Sequence, residues 1–164
     1  QKLEQGEYDA IILSCAGLIR LKKDHLISDF FSVDDFLPAS CQGAVGIQIA
    51  NTNNNLEFLN LLNSINHQHT ELACSAEREV LRSINANCNS PVSVYATIKE
   101  KEISIQCQLF DHSGLLLFNH LASGKVENNL LIAKDLGKKI IDQIGQDEID
   151  KLDILKDDFD YTPN

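Results

Sequence analysis

Three consecutive runs of alternating apolar residues in the second half of the chain constrain its fold more than any other feature. Apolar side chains recur at every second position within residues 92–98, 103–109 and 115–121. Such alternation is typical of strands with one buried face, and the joins at residues 99–101 and 111–114 have the length of hairpin loops. The pattern therefore predicts a three-stranded antiparallel meander.

Two helical patterns flank these runs. Apolar residues recur at spacings of three and four on both sides, at Ala73, Ala76, Val80 and Ile84 before the runs and at Leu130, Ala133, Leu136, Ile140 and Ile144 after them. Glu77, Arg78 and Arg82 lie beside the first apolar stripe. Helices of this kind can cover one face of a sheet, so residues 66 to about 149 are predicted to form a compact α+β unit.

The first 65 residues show a different pattern. Residues 8–15 read YDAIILSC, a short continuous apolar run followed by Ala16 and Gly17, and residues 44–50 read AVGIQIA. Runs of this length suit strands that are buried on both faces of an α/β sheet. Residues 18–26 and 56–65 are predicted to be helical, so this part of the chain is expected to belong to the α/β class.

The charge balance and the cysteine content restrict the partners and the compartment. Lysine and arginine number 14 against 24 acidic residues, a net charge of −10, which disfavours nucleic acid as a partner. No apolar run is long enough to cross a membrane, and the acidic residues 147–160 are expected to form a solvated tail. Five cysteines without a CxxC pair predict a reducing, cytoplasmic environment. Because the chain contains no methionine and opens at Gln1, it is expected to lack an N-terminal part.

Cys88 is the first candidate site residue. It lies in the polar stretch 85–91, where Asn, Ser and Pro favour a loop and a thiol gains little from apolar packing. A purely structural cysteine is the alternative. The other four cysteines, at positions 15, 41, 74 and 107, are interpreted as structural, position 41 with less support because it lies in a loop. A metal site at His67, His69, Cys74 and Cys88 is disfavoured, because histidines two positions apart do not share a helix face.

Two further features could contact a ligand. The loop at residues 37–46, LPASCQGAVG, contains glycines that allow close backbone approach, and Gln42 can both donate and accept hydrogen bonds. Arg20 follows the first apolar run, where a cation at the end of a strand could pair with an anionic ligand. A plain tight connection and a solvated helix arginine are the respective alternatives.

Three sequence blocks, in this order and spacing, resemble the C-terminal half of the porphobilinogen deaminase family, also called hydroxymethylbilane synthase. The blocks are YDAIILSCAGLIRL at 8–21, LPASCQGAVGIQ at 37–48 and SAEREVLRSINANCNSPVSVYA at 75–96. The likeness covers about residues 6–144. It implies the ends of two periplasmic-binding-like α/β lobes followed by a C-terminal α+β domain with a three-stranded antiparallel sheet and helices. Residues 1–37 would be the C-terminal part of the second lobe, 38–65 a strand and helix returning to the first lobe, and 66–164 the C-terminal domain with the cofactor cysteine.

The resemblance also implies roles for individual residues. Cys88 matches the cysteine that holds a dipyrromethane cofactor through a thioether, and Arg20 matches an arginine that binds acidic side chains of cofactor or substrate. The other implied cofactor-binding positions are Gln42 and Gly43 in the second block and Leu13 and Ser14 at the end of the first strand. The chain departs from the family pattern at Ala86 and Asn87, where paired glycines are usual, and at Cys41, where the family has glycine.

The implied function is that of a transferase in tetrapyrrole (haem) biosynthesis, which polymerises porphobilinogen into hydroxymethylbilane. The implied partners are porphobilinogen, the growing polypyrrole and the missing N-terminal half of the enzyme, with self-association of the chain left open. The family's catalytic aspartate belongs to that N-terminal half, so no catalytic residue and no metal ligand is expected here, and the chain alone is expected to be inactive. The alternative hypothesis is a non-catalytic α+β module for ligand binding or dimerisation.

Overall fold

The computed structural model describes residues 2–50, 56–87 and 89–152. The chain divides into two compact units, a first unit at Gln1–Phe36 and a second at Leu37–Asn164. The first unit contains the short helix α1 (Cys15–Arg20) and a 3₁₀ turn at Asp24–Leu26. The second unit contains helix α2 (Leu56–Ser64), and helix α3 (Gln68–Ser83) precedes the sheet.

The sheet is the three-stranded antiparallel meander that the alternating runs predict. Strands β1 (Val92–Lys99), β2 (Glu102–Phe110) and β3 (Leu116–Lys125) are hydrogen-bonded in the order β1-β2-β3. Ala96, Ile105 and Ala122 are register partners, and a β-bulge interrupts the second pairing between Leu109 and Phe110. Alternate residues of each strand are therefore turned to the same face, and on this face the core forms.

Helices cover that face. A 3₁₀ turn (Val126–Asn128) leads into helix α4 (Asn129–Ile144), and both α3 and α4 pack on the sheet and on each other. A side-chain carbon added at Gly137 of α4 would lie 2.4 Å from the Cβ atom of Ser83, so the two helices approach closely only because position 137 is glycine. The predicted α+β arrangement is confirmed for this part of the chain, called the sheet domain below (residues 68–152).

A further helix, α5 (Gln146–Leu152), lies where the sequence predicted the start of a solvated acidic tail. That prediction is wrong for these residues, because Ile149 is only 2% exposed and Leu152 is also buried. The two apolar residues are three positions apart and so share one face of α5, while the acidic residues occupy the rest of its surface. The later residues of the predicted tail, 153–160, lie outside the described part of the chain.

The two strands predicted in the first 65 residues are not formed. Residues 8–14 and 44–50 have no strand pairing, and most apolar side chains in them are exposed, 66% for Ile12 and 91% for Val45. A strand is held by a ladder of hydrogen bonds to a neighbouring strand, and within the described residues neither run is paired with one. The helix predicted over 18–26 is also shifted, because α1 begins at Cys15 and ends at Arg20, whereas the helix predicted over 56–65 is confirmed as α2.

No helix among the described residues combines the length and the hydrophobicity that crossing a bilayer requires.

Candidate functional site

The structure distributes the predicted cofactor-binding residues over both units. Leu13, Ser14 and Arg20 belong to the first unit, at and within α1, and Gln42 and Gly43 belong to the second unit. Cys88, the predicted anchor, lies outside the described residues. Its role therefore stays a prediction, and what can be described is the backbone on either side of it.

Helix α1 brings Ser14 and Arg20 to its two ends. Ser14 is the N-cap residue, and its carbonyl accepts a hydrogen bond from the Gly17 N–H at 3.2 Å. After Arg20 the helix closes with a left-handed residue, Lys22 (φ 57°), whose N–H donates to the Ile19 carbonyl at 2.9 Å. The next N–H, of Lys23, donates to the Leu18 carbonyl at 2.8 Å, which completes a Schellman motif.

Arg20 itself is exposed at the end of this helix. In the described ranges no carboxylate forms an ion pair with its guanidinium. A guanidinium offers donors in a planar fork that matches a carboxylate. The side chain is therefore accessible, and its binding of an anionic ligand stays a prediction. It stands at the end of α1, and the apolar run before it does not form a strand.

The backbone before Cys88 is fixed by the end of α3. Asn85 adopts the left-handed conformation (φ 56°), its N–H donates to the Arg82 carbonyl at 3.2 Å, and the N–H of Ala86 donates to the Leu81 carbonyl at 2.9 Å. This is a second Schellman motif, and asparagine is one of the few residues other than glycine that tolerate such a backbone. The loop predicted at 85–91 begins here.

Hydrogen bonds connect Asn87 with the two residues that follow position 88. The Asn87 N–H donates to the Ser90 hydroxyl at 2.8 Å, and the Ser90 N–H donates to the Asn87 carbonyl at 3.2 Å. The side-chain oxygen of Asn87 also accepts from the Asn89 N–H at 2.8 Å. These bonds link Asn87 to Asn89 and Ser90, between α3 and β1.

The loop with Gln42 and Gly43 consists of two successive turns. The Gln42 N–H donates to the Ala39 carbonyl at 3.0 Å, and the Ala44 N–H donates to the Cys41 carbonyl at 3.1 Å. Cys41 (φ 60°) and Gly43 (φ 84°) both lie in the left-handed region. No atom of the described residues would lie within 4 Å of a side-chain carbon added at Gly43, so the positive φ is the reason that glycine suits this position.

This loop is held by Glu77, a buried carboxylate. The sequence pattern placed Glu77 beside the apolar stripe of α3. Glu77 of α3 is 4% exposed; its Oε2 atom accepts from the Cys41 N–H at 2.5 Å and its Oε1 atom from the Ala96 N–H of β1 at 2.8 Å. Desolvation raises the pKa of this carboxyl above its usual value, while the two backbone N–H groups oppose the shift. Glu77 thus connects the loop, α3 and the sheet.

The sequence contained a signal for this burial. Glu77 lies four residues after Ala73 and three before Val80, so it falls within the apolar stripe of α3 rather than beside it. A second carboxylate of α3, Glu79, is also buried and forms ion pairs with Arg82 and, at 4.0 Å, with Lys134 of α4. That pairing joins the two helices and serves the fold rather than a site.

A cavity of about 860 Å³ opens beside the loop, within the second unit. Its lining comes from the loop region, α2 and α3, and it includes Gly43, Cys41, Cys74, His67 and Arg78. His67 is engaged as the N-cap of α3, where its Nδ1 atom accepts from the Thr70 N–H at 3.3 Å. Among the described residues, no cluster of three or more His, Cys, Asp or Glu side chains could hold a metal ion.

Comparisons with known proteins match both parts of the chain. A family model described as "Porphobilinogen deaminase, dipyromethane cofactor binding domain" matches residues 1–57, and one described as "Porphobilinogen deaminase, C-terminal domain" matches residues 71–142.

Similar curated proteins carry the same name. The porphobilinogen deaminase of Ruminiclostridium cellulolyticum is 36% identical over 141 residues, covering 85% of this chain and 46% of the relative. That of Coxiella burnetii (strain RSA 493 / Nine Mile phase I) is 33% identical over 143 residues, covering 87% and 45%. The chloroplastic protein of Oryza sativa subsp. japonica is 32% identical over 155 residues, covering 93% and 43%. The chain spans about half the length of the curated relatives it matches.

Proposed function

This chain belongs to the porphobilinogen deaminase family, and we propose that it forms part of a transferase that polymerises porphobilinogen into hydroxymethylbilane in tetrapyrrole biosynthesis. The main support for this proposal is that one chain matches both family models in order, the cofactor-binding domain first and the C-terminal domain second. The C-terminal match falls on the α3, sheet and α4 region, whose loop at 85–91 is predicted to hold the cofactor.

The available groups fit the chemistry of a dipyrromethane cofactor, whose acidic side chains require cations and whose attachment requires a nucleophile. Arg20 is an exposed guanidinium without a carboxylate partner in the described chain, and Cys88 would provide the sulfur for a thioether. When bound, the cofactor supplies the pyrrole carbon to which further units are added.

The remaining assigned residues are proposed to contact the cofactor without reacting with it. Gln42 and Gly43 lie in a tight double turn that lets a ligand approach the backbone closely, and Ser14 and Leu13 precede α1. Glu77 would hold the double turn against α3 through the Cys41 N–H. No residue of this chain is assigned a proton-transfer role, and the chain alone is expected not to turn over porphobilinogen.

The apolar runs at 8–14 and 44–50 are proposed to become strands of the two periplasmic-binding-like lobes when the N-terminal half of the enzyme is present. Their exposed side chains, such as Ile12 and Val45, would then be covered on both faces. Residues 1–37 would complete the second lobe and 38–65 would return to the first. The protein is proposed to act in the cytoplasm, where its free cysteines stay reduced.

The test joins the N-terminal half of the Ruminiclostridium cellulolyticum relative ahead of Gln1 and measures intact mass and hydroxymethylbilane formation. We expect a covalent mass addition that peptide mapping places on Cys88, and turnover by the chimera but not by the chain alone. Cys88→Ser should remove both, because a hydroxyl is a much poorer nucleophile, whereas the matched change Cys15→Ser should keep both. A folded chimera with unmodified Cys88 would contradict the proposal and favour a non-catalytic module.

A further inference from the structure

Cys41 and Cys74 are 33 positions apart in the sequence but in contact in the second unit. The Cys41 thiol lies 3.7 Å from the carbonyl oxygen of Cys74, and the Cys41 N–H donates to Glu77 at 2.5 Å. Cys74 and Glu77 are three positions apart on α3 and therefore share one helix face. Two separate contacts thus hold residue 41 against that face.

The Cys41 thiol is protonated and hydrogen-bonded to Cys74. Desolvation by burial, with smaller contributions from Cys74 and Glu77, raises the pKa of Cys41 to about 12. The Cys41 sulfur therefore keeps its proton at neutral pH and donates it towards the Cys74 carbonyl oxygen. Both residues are only partly buried and line the open 860 Å³ cavity, so a small reagent can reach them.

We propose that Cys41 and Cys74 form a redox-sensitive pair that a small-molecule disulfide converts into an intramolecular disulfide. Contact between the two residues, restrained by the Glu77 bond, favours this pairing over others. The link would join the double turn with Gln42 and Gly43 covalently to α3. This inference does not rest on the proposed function, because the linkage is read by mass and not by turnover.

The chemistry is thiol–disulfide exchange with a reagent such as oxidised glutathione. The Cys74 thiolate attacks one sulfur of the reagent, the reagent's S–S bond breaks, and one glutathione leaves as a thiolate that takes up a proton. Cys41 then attacks the Cys74 sulfur, loses its proton, and the second glutathione leaves. In total, the two cysteines lose two protons and two electrons, and the reagent is reduced to two thiols. Cys74 is assigned the first attack because Cys41 holds its proton.

The test treats the full chain with oxidised glutathione, alkylates the remaining thiols and maps the peptides by mass spectrometry. We expect a linked Cys41–Cys74 peptide that a reducing agent separates, with Cys15 and Cys107 alkylated. Formation in urea should be at least several-fold lower relative to other pairings, because contact in the fold is lost. A dominant link between other cysteines, or equal pairing in urea, would overturn the proposal.

Single variants test the order of the two attacks. Cys41→Ser should accumulate glutathione on Cys74, because the resolving thiol is absent, whereas Cys74→Ser should leave Cys41 largely unmodified. Cys15→Ser is the matched control and should form the link as the unchanged chain does. Circular dichroism confirms that each variant is folded. If glutathione stays on Cys74 of the folded, unchanged chain without closing, the pair does not act as proposed.

Discussion

The first unit and the sheet domain contain similar apolar side chains but bury them to opposite extents. Among the described residues of the first unit, 2–36, none is buried, and Ile12 and Phe31 are both more than 60% exposed. In the sheet domain, Ile103, Ile105 and Ile140 have no exposed surface. Apolar content alone therefore does not produce a core. What differs is whether the chain itself supplies the elements that cover those side chains.

Each hairpin of the sheet domain provides the neighbour that its strand needs. β2 is paired along both edges, and α3 and α4 cover the face to which Ile105 is turned. The first unit instead has local hydrogen bonds, such as the Schellman motif after α1 and the bond from the Ser32 hydroxyl to Asp35 at 2.7 Å. Local bonds of this kind fix turns, but they bury little apolar surface.

The largest effect is expected from separating the two regions. Residues 66–164 alone should unfold cooperatively in urea, because the sheet and its covering helices are all contained in them. Residues 1–65 alone should show no cooperative transition, since their apolar runs find no partners. Circular dichroism and the dispersion of amide signals in nuclear magnetic resonance spectra measure both. A folded, monomeric 1–65 peptide would break the comparison.

The accuracy of the sequence predictions follows the same division. Strands β1 to β3 and helices α3 and α4 were predictable because each contributes a periodic pattern whose partners are adjacent in the chain. Residues 8–14 and 44–50 were mistaken for formed strands because an apolar run reports only a tendency to be buried, and pairing depends on distant residues. Helix α5 was missed because its acidic residues outweighed the Ile149 and Leu152 pair.

The candidate site was predictable only in part. The loop at 85–91 followed from its composition, whereas the left-handed conformation of Asn85 at the end of α3 was not predicted. Glu77 was placed beside the apolar stripe, because a charged residue is rarely buried. Its two backbone partners, Cys41 and Ala96, come from segments 36 and 19 positions away, and no local pattern indicates them.

A core substitution tests the difference in side-chain burial between the sheet domain and the first unit. Ile105→Ala removes a fully buried side chain from the middle of the sheet and should lower the free energy of unfolding by about 2–5 kcal/mol. The matched change Ile12→Ala, in the first unit, removes a side chain that is already exposed. It should change the free energy of unfolding by less than about 0.5 kcal/mol. Urea titration of the full chain measures both; equal effects would mean that Ile12 is buried in solution.

Glycine substitutions test the close packing of α3 on α4. Gly137→Ala should cost about 1–3 kcal/mol, because the new Cβ atom would lie 2.4 Å from the Cβ atom of Ser83. Adding Ser83→Gly should recover part of the loss by removing the clash. In Gly17→Ala, the new Cβ atom in α1 would meet no atom of the described residues within 4 Å, so the main unfolding transition should stay unchanged. Thermal denaturation compares the unchanged chain, the two single glycine variants and the double variant. A Gly137→Ala chain as stable as the unchanged chain would contradict the close approach of α3 and α4.

Glu77→Gln should destabilise the chain by about 1–2 kcal/mol, because an amide offers one acceptor oxygen and leaves one of two buried N–H groups unpaired. Desolvation raises the pKa of Glu77 in the folded chain above the usual value of 4.5. The stabilisation that this shift provides is fully present below about pH 4.5, where the carboxyl is protonated, and it is lost as pH rises through the raised pKa. The permanently neutral variant cannot show this loss. In urea titrations, the difference in free energy of unfolding between the unchanged chain and Glu77→Gln should therefore become smaller as pH rises.

Glu7→Gln is the matched control for this effect. Glu7 pairs with Lys2 at 3.8 Å in the first unit, and both side chains are at least half exposed. Surface pairs of this kind contribute little, so the main transition should not respond to the change at any pH. A pH dependence that is the same in both variants would show that Glu77 is not the group responsible.

The smallest effect is expected at the turn between β2 and β3. The Asp111 carboxylate accepts from the Ser113 hydroxyl at 2.7 Å and from the Leu115 N–H at 2.9 Å, and these bonds hold its pKa below its usual value of 3.8. The stability linked to this charge is present at neutral pH and is lost as pH falls through the lowered pKa. Asp111→Asn keeps an acceptor oxygen but not the charge, so it should slightly lower the urea midpoint near neutral pH and match the unchanged chain in acid.

Ser32→Ala is the matched control in the first unit. It removes a similar bond, from the Ser32 hydroxyl to Asp35, in a turn that joins no strands, and it should leave the midpoint unchanged at every pH. If both variants shift the midpoint equally, the turns of the two regions contribute alike, and the proposed difference between the regions does not extend to their loops.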